Sequence, residues 1–149
     1  MHRKIIPDIV NDQTIVALAA TNTVREAARK MVDHNTAAVV ILDRDGRLTG
    51  IVTERDVTRR LVAKGLDAEK TTLGEIMTAN PDTLAPNDTA LDALELMRVR
   101  NYRHLPVVDG QRVVGMVSIR DLYAAVKVEL EESIRETEAF VFGDRYGVA

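Results

Sequence analysis

Two stretches of the chain carry a hydroxyl, an arginine and an aspartate at one shared spacing: Gly50-Ile51-Val52-Thr53-Glu54-Arg55-Asp56 and Gly115-Met116-Val117-Ser118-Ile119-Arg120-Asp121. In each, an apolar run gives way to a residue that can cap a helix, where free backbone amides favour an anion. A carboxylate at that place suits a ribose diol, and a guanidinium beside it suits phosphate. The same residues also suit a plain N-cap with an exposed ion pair. A single copy favours the cap; two copies in register favour a ligand.

A third stretch, Tyr102-Arg103-His104-Leu105-Pro106, adds two phosphate donors in Arg103 and His104. With Arg98 and Arg100 they make a cationic patch on an acidic protein. Arg98 and Arg100 also fit the solvated end of a helix, and His104 taken alone fits a structural histidine. The counterpart in the first half of the chain is Thr36-Ala37-Ala38-Val39-Val40, with neither cation nor proline. Two clefts built from these segments are unequal.

The elements that position these residues come from a duplication. An offset of 66 superposes Thr23, Ala27, Met31, Asn35 and Asp43 on Thr89, Ala93, Met97, Asn101 and Asp109, and an offset of 65 then aligns the two glycine-to-aspartate stretches. Val24, Ala27, Ala28, Met31 and Val32 have helical spacing, and Thr23 with Glu26 has the spacing of a capping box. Ala38 to Leu42 and Leu48 to Val52 read as a hairpin around Asp43-Arg44-Asp45-Gly46, and a second helix starts near Glu54. The second half repeats this with a helix near 89–100, strands at 105–108 and 112–117, and a helix from about Ile119. Short strands open the halves at Ile15 to Leu18 and at Thr83-Leu84.

The expected fold is therefore α+β, with two β-α-β-β-α repeats packed sheet to sheet about a pseudo-twofold axis. A three-stranded sheet is too small to bury its apolar surface alone, and the second copy covers it. Boundaries fall at 8–70 and 71–128, with a helical extension and tail over 129–149. Corresponding loops then meet at two clefts, a preferred setting for small-molecule pockets.

Composition narrows the chemistry. Twenty lysines and arginines against 23 aspartates and glutamates give a net charge of −3, which removes the electrostatic basis for general nucleic-acid binding. With no cysteine, disulfides, thiolate metal sites and cysteine nucleophiles are excluded. The lack of cysteine makes a cytoplasmic protein the expectation, and the apolar runs Ile15 to Ala20 and Ala37 to Leu42 fall short of the roughly 20 residues of a membrane span, so a soluble one is expected. Asp43-Arg44-Asp45-Gly46 lacks the later acidic residues of a calcium loop and reads as a turn. The three histidines show no metal-motif spacing, and no P-loop, G-x-G-x-x-G or G-x-S-x-G motif is present. Nothing proposes catalysis.

The two glycine-to-aspartate motifs, the run Arg103-His104-Leu105-Pro106-Val107-Val108-Asp109 and the Ile76-Met77 linker together resemble a tandem pair of CBS domains over residues 8–128. The resemblance implies a regulatory module, not an enzyme, with no required cofactor. Its ligand would be an adenine nucleotide (AMP, ADP or ATP) or a related adenosyl compound such as S-adenosylmethionine or NAD(H). A purely structural dimerisation module with empty clefts is the alternative. It further implies that Thr53, Arg55 and Asp56 join Tyr102, Arg103, His104 and Pro106 in one cleft, with Thr83 and Leu84 near its base. Ser118, Arg120 and Asp121 would join Thr36, Ala37 and Ala38 in a weaker second cleft.

The family likeness also implies a homodimer acting on an effector protein. Val57, Leu61 and Val62, with Leu122, Val126 and Leu130, offer more apolar surface than a two-repeat core requires. Ile119 to Glu138 reads as one long acidic helix, followed by Phe140, Phe142 and Tyr146. Three of the five aromatic rings sit in this tail, which suits either packing on the chain itself or a dimer contact.

Overall fold

Apolar periodicity and caps set the first half. The structure, a computed structural model, describes the backbone of residues 3–146 and the side chains of 3–141. Strand β1 (Ala17–Leu18) leads to α1 (Val24–Asp33), and the hairpin β2 (Ala38–Leu42) and β3 (Leu48–Thr53) follows. The hydroxyl of Thr23 accepts the Glu26 amide, but the Glu26 carboxylate accepts from the Asn22 side chain, so the expected capping box is only half made. Val24, Ala27 and Met31 turn the apolar stripe of α1 into the core. In the hairpin, Asp43 Oδ1 accepts the amides of Asp45 and Arg47, each at 2.9 Å, and Gly46 takes the left-handed φ of 79° that closes the turn.

From β3 the chain enters α2 (Glu54–Asp56), continued by a wider helical turn over Val57–Val62. A short helix α3 (Leu73–Ile76) and strand β4 (Thr78–Ala79) come next. The second half has α4 (Ala90–Arg100), β5 (His104–Asp109), β6 (Arg112–Ser118) and α5 (Ile119–Tyr146). Asn101, at φ 58°, ends α4 with a left-handed cap.

The two sheets differ. The first has four strands in the order β1-β2-β3-β4, with β1 parallel to β2 and the rest antiparallel. The second is the β5-β6 hairpin; its expected opening strand at Thr83-Leu84 shrinks to a single parallel bridge from Leu84 to Val107. Pro86, without an amide, cannot extend that ladder. Both faces of β2 are buried: Val39 and Ile41 pack in the first core with Val24 and Met31, while Ala38 and Val40 are buried on the opposite face.

The packing units are offset from the sequence repeats. Ile5 and Val10, at the start of the chain, sit in the second core with Leu105, Val107 and Leu122, whereas Leu73 and Ile76 of the linker sit in the first core with Val24 and Val52. Two glycines allow these crossings. A Cβ on Gly50 would lie 2.4 Å from Met77 Sδ and 3.2 Å from the Thr78 carbonyl, and one on Gly115 would lie 3.2 Å from Gln13 Oε1. Each half is thus stapled by a segment that precedes the other in sequence.

Two expectations about the apolar surface change. Leu61 and Leu122 are buried in their own cores, at 4% and 0% exposure, so neither is available to a second chain. Val62 and Leu130 remain exposed, as do Tyr123 and Ile134. Helix α5 also continues past Glu138 to Tyr146, making the aromatic segment helical. Phe140 is 73% exposed, so it does not pack on its own chain; the side chains of Phe142 and Tyr146 lie outside the described residues.

Candidate functional site

Each glycine-to-aspartate motif folds as strand, cap and helix start. Thr53 Oγ1 accepts the Asp56 amide at 3.3 Å, and Asp56 Oδ2 accepts the Thr53 amide at 2.9 Å. Ser118 and Asp121 repeat the exchange, with the Ser118 amide donating to Asp121 Oδ2 at 2.9 Å and the Asp121 amide donating to Ser118 Oγ at 3.1 Å. One further bond ties each helix start to its own hairpin: the Glu54 amide donates to the Ala37 carbonyl at 3.0 Å, and the Ile119 amide to the Arg103 carbonyl at 2.9 Å.

The residues singled out as candidate ligand groups are therefore also the caps of their helices. Reciprocal capping engages Oδ2 of each aspartate and fixes the carboxylate, leaving Oδ1 as the outward acceptor. No Arg55–Asp56 ion pair forms. Asp56 Oδ1 instead lies 3.7 Å from Arg60 Nε, one helical turn on.

Between the halves lies a cleft of about 460 Å³ that brings together Thr53, Arg55, Asp56, Tyr102, Arg103 and His104. Thr83, Leu84 and Pro106 do not line it. Leu84 is 2% exposed in the second core, Pro106 is buried within β5 with its carbonyl accepting the Leu84 amide, and Thr83 is exposed elsewhere. Bridging to β5 is what draws Leu84 inward. A second cleft, of about 610 Å³, holds all of Thr36, Ala37, Ala38, Ser118, Arg120 and Asp121. The two share a wall, because Ala37, Glu54, His104, Ser118 and Arg120 face both.

Several lining residues escape a reading of the motifs alone. Arg59 and Arg60 join the first cleft, as do Thr78, Pro81, Asp82, Arg100 and Asn101, while Gln13, Thr14, Ile15, Val16, His34 and Asn35 line the second. Arg59 was detectable, since it follows Arg55 by four residues on one helix face. The linker and arm residues carried no such signal, because their position depends on the crossings. Arg98 and Arg100 separate: Arg98 is bound to Glu95 at 2.6 Å on the surface, whereas Arg100 lines the cleft and sits 3.4 Å from Asp82.

Charge concentrates in the first cleft. Six guanidiniums (Arg55, Arg59, Arg60, Arg100, Arg103 and Arg120) face three carboxylates (Glu54, Asp56 and Asp82) in a protein of net charge −3. Arg60 also donates to the carbonyls of Ile76 and Met77 at 3.0 and 3.1 Å. Among the described residues, Arg55, Arg59, Arg103 and Arg120 have no carboxylate within salt-bridge distance. Burial, followed by the like charges of Arg59 and Arg103, lowers the pKa of Arg55 against the opposing pull of Asp56. Burial likewise pushes His104 below the ordinary imidazole value, helped by Arg103 and opposed by Asp121 and Glu54. At neutral pH, His104 is then a neutral hydrogen-bonding group rather than a third cation beside Arg103 and Arg100.

This chain belongs to the CBS-domain family: the family model for the CBS domain matches it twice, over residues 7–63 and 73–128. The mitochondrial CBS domain-containing protein CBSX3 of Arabidopsis thaliana is 35% identical over 126 residues, 82% of this chain and 61% of that protein. Against other Arabidopsis relatives, the chain spans only about a fifth of their length. Among solved structures, PAE2072 from Pyrobaculum aerophilum, complexed with AMP, is 34% identical with a TM-score of 0.72, covering 82% of this chain and 95% of that one. The CBS domain pair of protein MJ0100, in complex with 5′-methylthioadenosine and S-adenosyl-L-methionine, is 31% identical with a TM-score of 0.73, covering 82% and 94%.

Proposed function

We propose that this chain is a regulatory module that binds an adenine nucleotide in the first cleft and transmits occupancy through a homodimer to an effector protein. The observation that carries the reading is the group of four guanidiniums that have no carboxylate partner among the described residues, facing a cleft that also contains the capped Asp56. Like charges gathered at one place raise the energy of the empty site, and an anion relieves it. Asp56 Oδ1 would accept from a ribose hydroxyl, Ile51, Leu105 and Ile119 would supply apolar contact for the base, and Arg55, Arg59, Arg103 and Arg120 would hold phosphates. The AMP-bound and S-adenosylmethionine-bound relatives support an adenosyl ligand in this fold.

The test is a calorimetric titration with adenosine, AMP, ADP, ATP, NAD(H) and S-adenosylmethionine. Affinity is expected to rise from adenosine through AMP to ATP, and ATP at 100 times its Kd should stabilise the protein by about 2.7 kcal/mol. No heat from any of these compounds would leave a structural dimerisation module instead. Light scattering tests the second part. A second copy is the proposed occupant of the exposed apolar residues on α5 (Tyr123, Leu130, Ile134 and Phe140), and a monomer at micromolar concentration would remove that route of transmission.

A further inference from the structure

We infer that Asp82 is a specificity-determining residue of the first cleft, an anion of the chain's own that competes with ligand phosphate for Arg100 and so limits how strongly the site favours the more highly charged nucleotides. The nucleotide part rests on the reading above; the competition rests on how Asp82 is held. The Asn80 amide donates to the Thr49 carbonyl at 3.0 Å and the Leu84 amide to the Pro106 carbonyl at 2.9 Å, so the backbone is tied to the first half just before Asp82 and to the second just after it. Only Pro81, Asp82 and Thr83 span the gap, and the fixed φ of Pro81 stiffens the span. Asp82 is thus fixed in the cleft wall from both sides.

Its carboxylate differs from the others that shape the clefts. Asp56 and Asp121 accept backbone amides as caps, whereas Asp82 accepts no hydrogen bond among the described residues and meets one cation there, Arg100, whose Nε lies 3.4 Å away. Both side chains are partly exposed, and an exposed ion pair of this kind holds weakly. Arg60, by contrast, is committed to three acceptors: Asp56 and the carbonyls of Ile76 and Met77. Of these two paired guanidiniums, Arg100 is therefore the one that a phosphate can take. The pair belongs to the first cleft alone, since at the 66-residue offset Val16 and His34 stand where Asp82 and Arg100 stand, and both line the second cleft. In the empty first cleft Asp82 offsets part of the positive charge of Arg55, Arg59, Arg103 and Arg120; with phosphates bound it is a like charge beside them. Both effects lower the affinity for an anion, and both grow with the number of phosphates. An uncharged nucleoside is subject to neither.

The experiment is a calorimetric titration of the full chain and its Asp82→Asn variant, which keeps the size of the side chain and removes its charge. The ligands are adenosine, AMP, ATP and inorganic tripolyphosphate. Asp82→Asn should tighten ATP and tripolyphosphate about fivefold and AMP about twofold, and leave adenosine unchanged. The gain for ATP should fade between about 0.1 M and 1 M salt, as a gain from altered linker packing would not. Asp82→Ala should reproduce the gain, because it too removes the charge. Unchanged or weaker ATP binding in both variants would overturn the inference, and so would an equal gain for adenosine, the mark of a linker that has merely shifted. The adenosyl ligand and the competition fail separately. Tripolyphosphate that binds as tightly as ATP removes the adenosyl ligand, and the competition is then read from that anion; ATP that binds without regard to Asp82 removes the competition alone. A chain and variants that take up neither ATP nor tripolyphosphate would overturn both.

Discussion

The two clefts are built from one repeated backbone pattern and differ in what that pattern presents. In both, a hydroxyl and an aspartate exchange hydrogen bonds across the first helical turn, and a carbonyl at the start of the hairpin accepts the next amide. Around the first, guanidiniums gather from α2, α4 and the start of β5; around the second, alanines and uncharged side chains take those positions. Both repeats keep the scaffold, while four side chains differ in charge between them: Arg59, Arg60, Arg100 and Arg103 against Ala124, Ala125, His34 and Ala37. The capping groups hold the helix in both halves, and the residues beside them carry the difference.

The largest effects should come from the crossings that close each half. Ile5 and Ile76 are both essentially fully buried, each in the core of the half that it does not precede directly in the repeat pattern. Ile5→Ala and Ile76→Ala should each cost about 2–5 kcal/mol in urea unfolding. A loss below about 1 kcal/mol for Ile5→Ala alone would show that the arm, unlike the linker, is peripheral to its core.

Next comes the contrast between the two aspartates. Asp56→Ala and Asp121→Ala remove equivalent caps, so both should lower stability by about 0.5–2 kcal/mol. Only Asp56→Ala should also weaken ATP, by about ten- to hundredfold, because only its cleft gathers Arg55, Arg59 and Arg103. Equal losses of ATP affinity would erase the difference between the clefts. Arg98→Ala serves as the control, since Arg98 is spent on Glu95 at the surface.

Much of this was legible in the sequence because it is local or repeated. The caps at Thr53 and Ser118, the hairpins, the helix starts and the inequality of Arg103-His104 and Ala37-Ala38 all follow from neighbouring residue types and the 65- to 66-residue offset. What stayed hidden depends on contacts far apart in the chain. Ile5 gives no sign that it belongs with Leu105, and neither does Gln13 that it accepts the Met116 amide at 2.8 Å. Leu84 looked like a site residue because a family pattern placed it there, yet its backbone bridge to β5 commits its side chain to the core. Arg98 and Arg100, two residues apart on a helix, could be told apart only once their faces were known.

Salt sharpens the comparison at a smaller scale. Partly exposed ion pairs weaken as the Debye length falls from about 10 Å at 0.1 M to about 3 Å at 1 M. ATP affinity should therefore drop across that range, while any binding of adenosine should stay within about twofold, since an uncharged ligand has no ion pair to screen. Parallel losses for both ligands would mean that the unpaired guanidiniums of the first cleft do not hold the phosphates.

The smallest effect is expected from protons, at one position where the halves differ by a single residue. His104 opens β5 where Ala38 opens β2, and each pairs across its hairpin with the capping hydroxyl residue, Ser118 or Thr53. Burial lowers the His104 pKa, with Arg103 adding to the shift and Asp121 and Glu54 opposing it. A base whose folded pKa is depressed binds fewer protons folded than unfolded, so its contribution is present above the ordinary value of about 6.5 and is lost as pH falls below it. The difference in Tm between the protein and its His104→Gln variant should therefore shift against the native protein between about pH 7.5 and 5.5. Other titrating groups cancel in that difference. A phosphate in the first cleft reverses the preference, because an anion near the ring favours the imidazolium. ATP binding to the native chain near pH 6 should then take up a proton that the variant does not, measurable as a buffer-dependent heat. Equal heats in buffers of different ionisation enthalpy would place the phosphates away from His104.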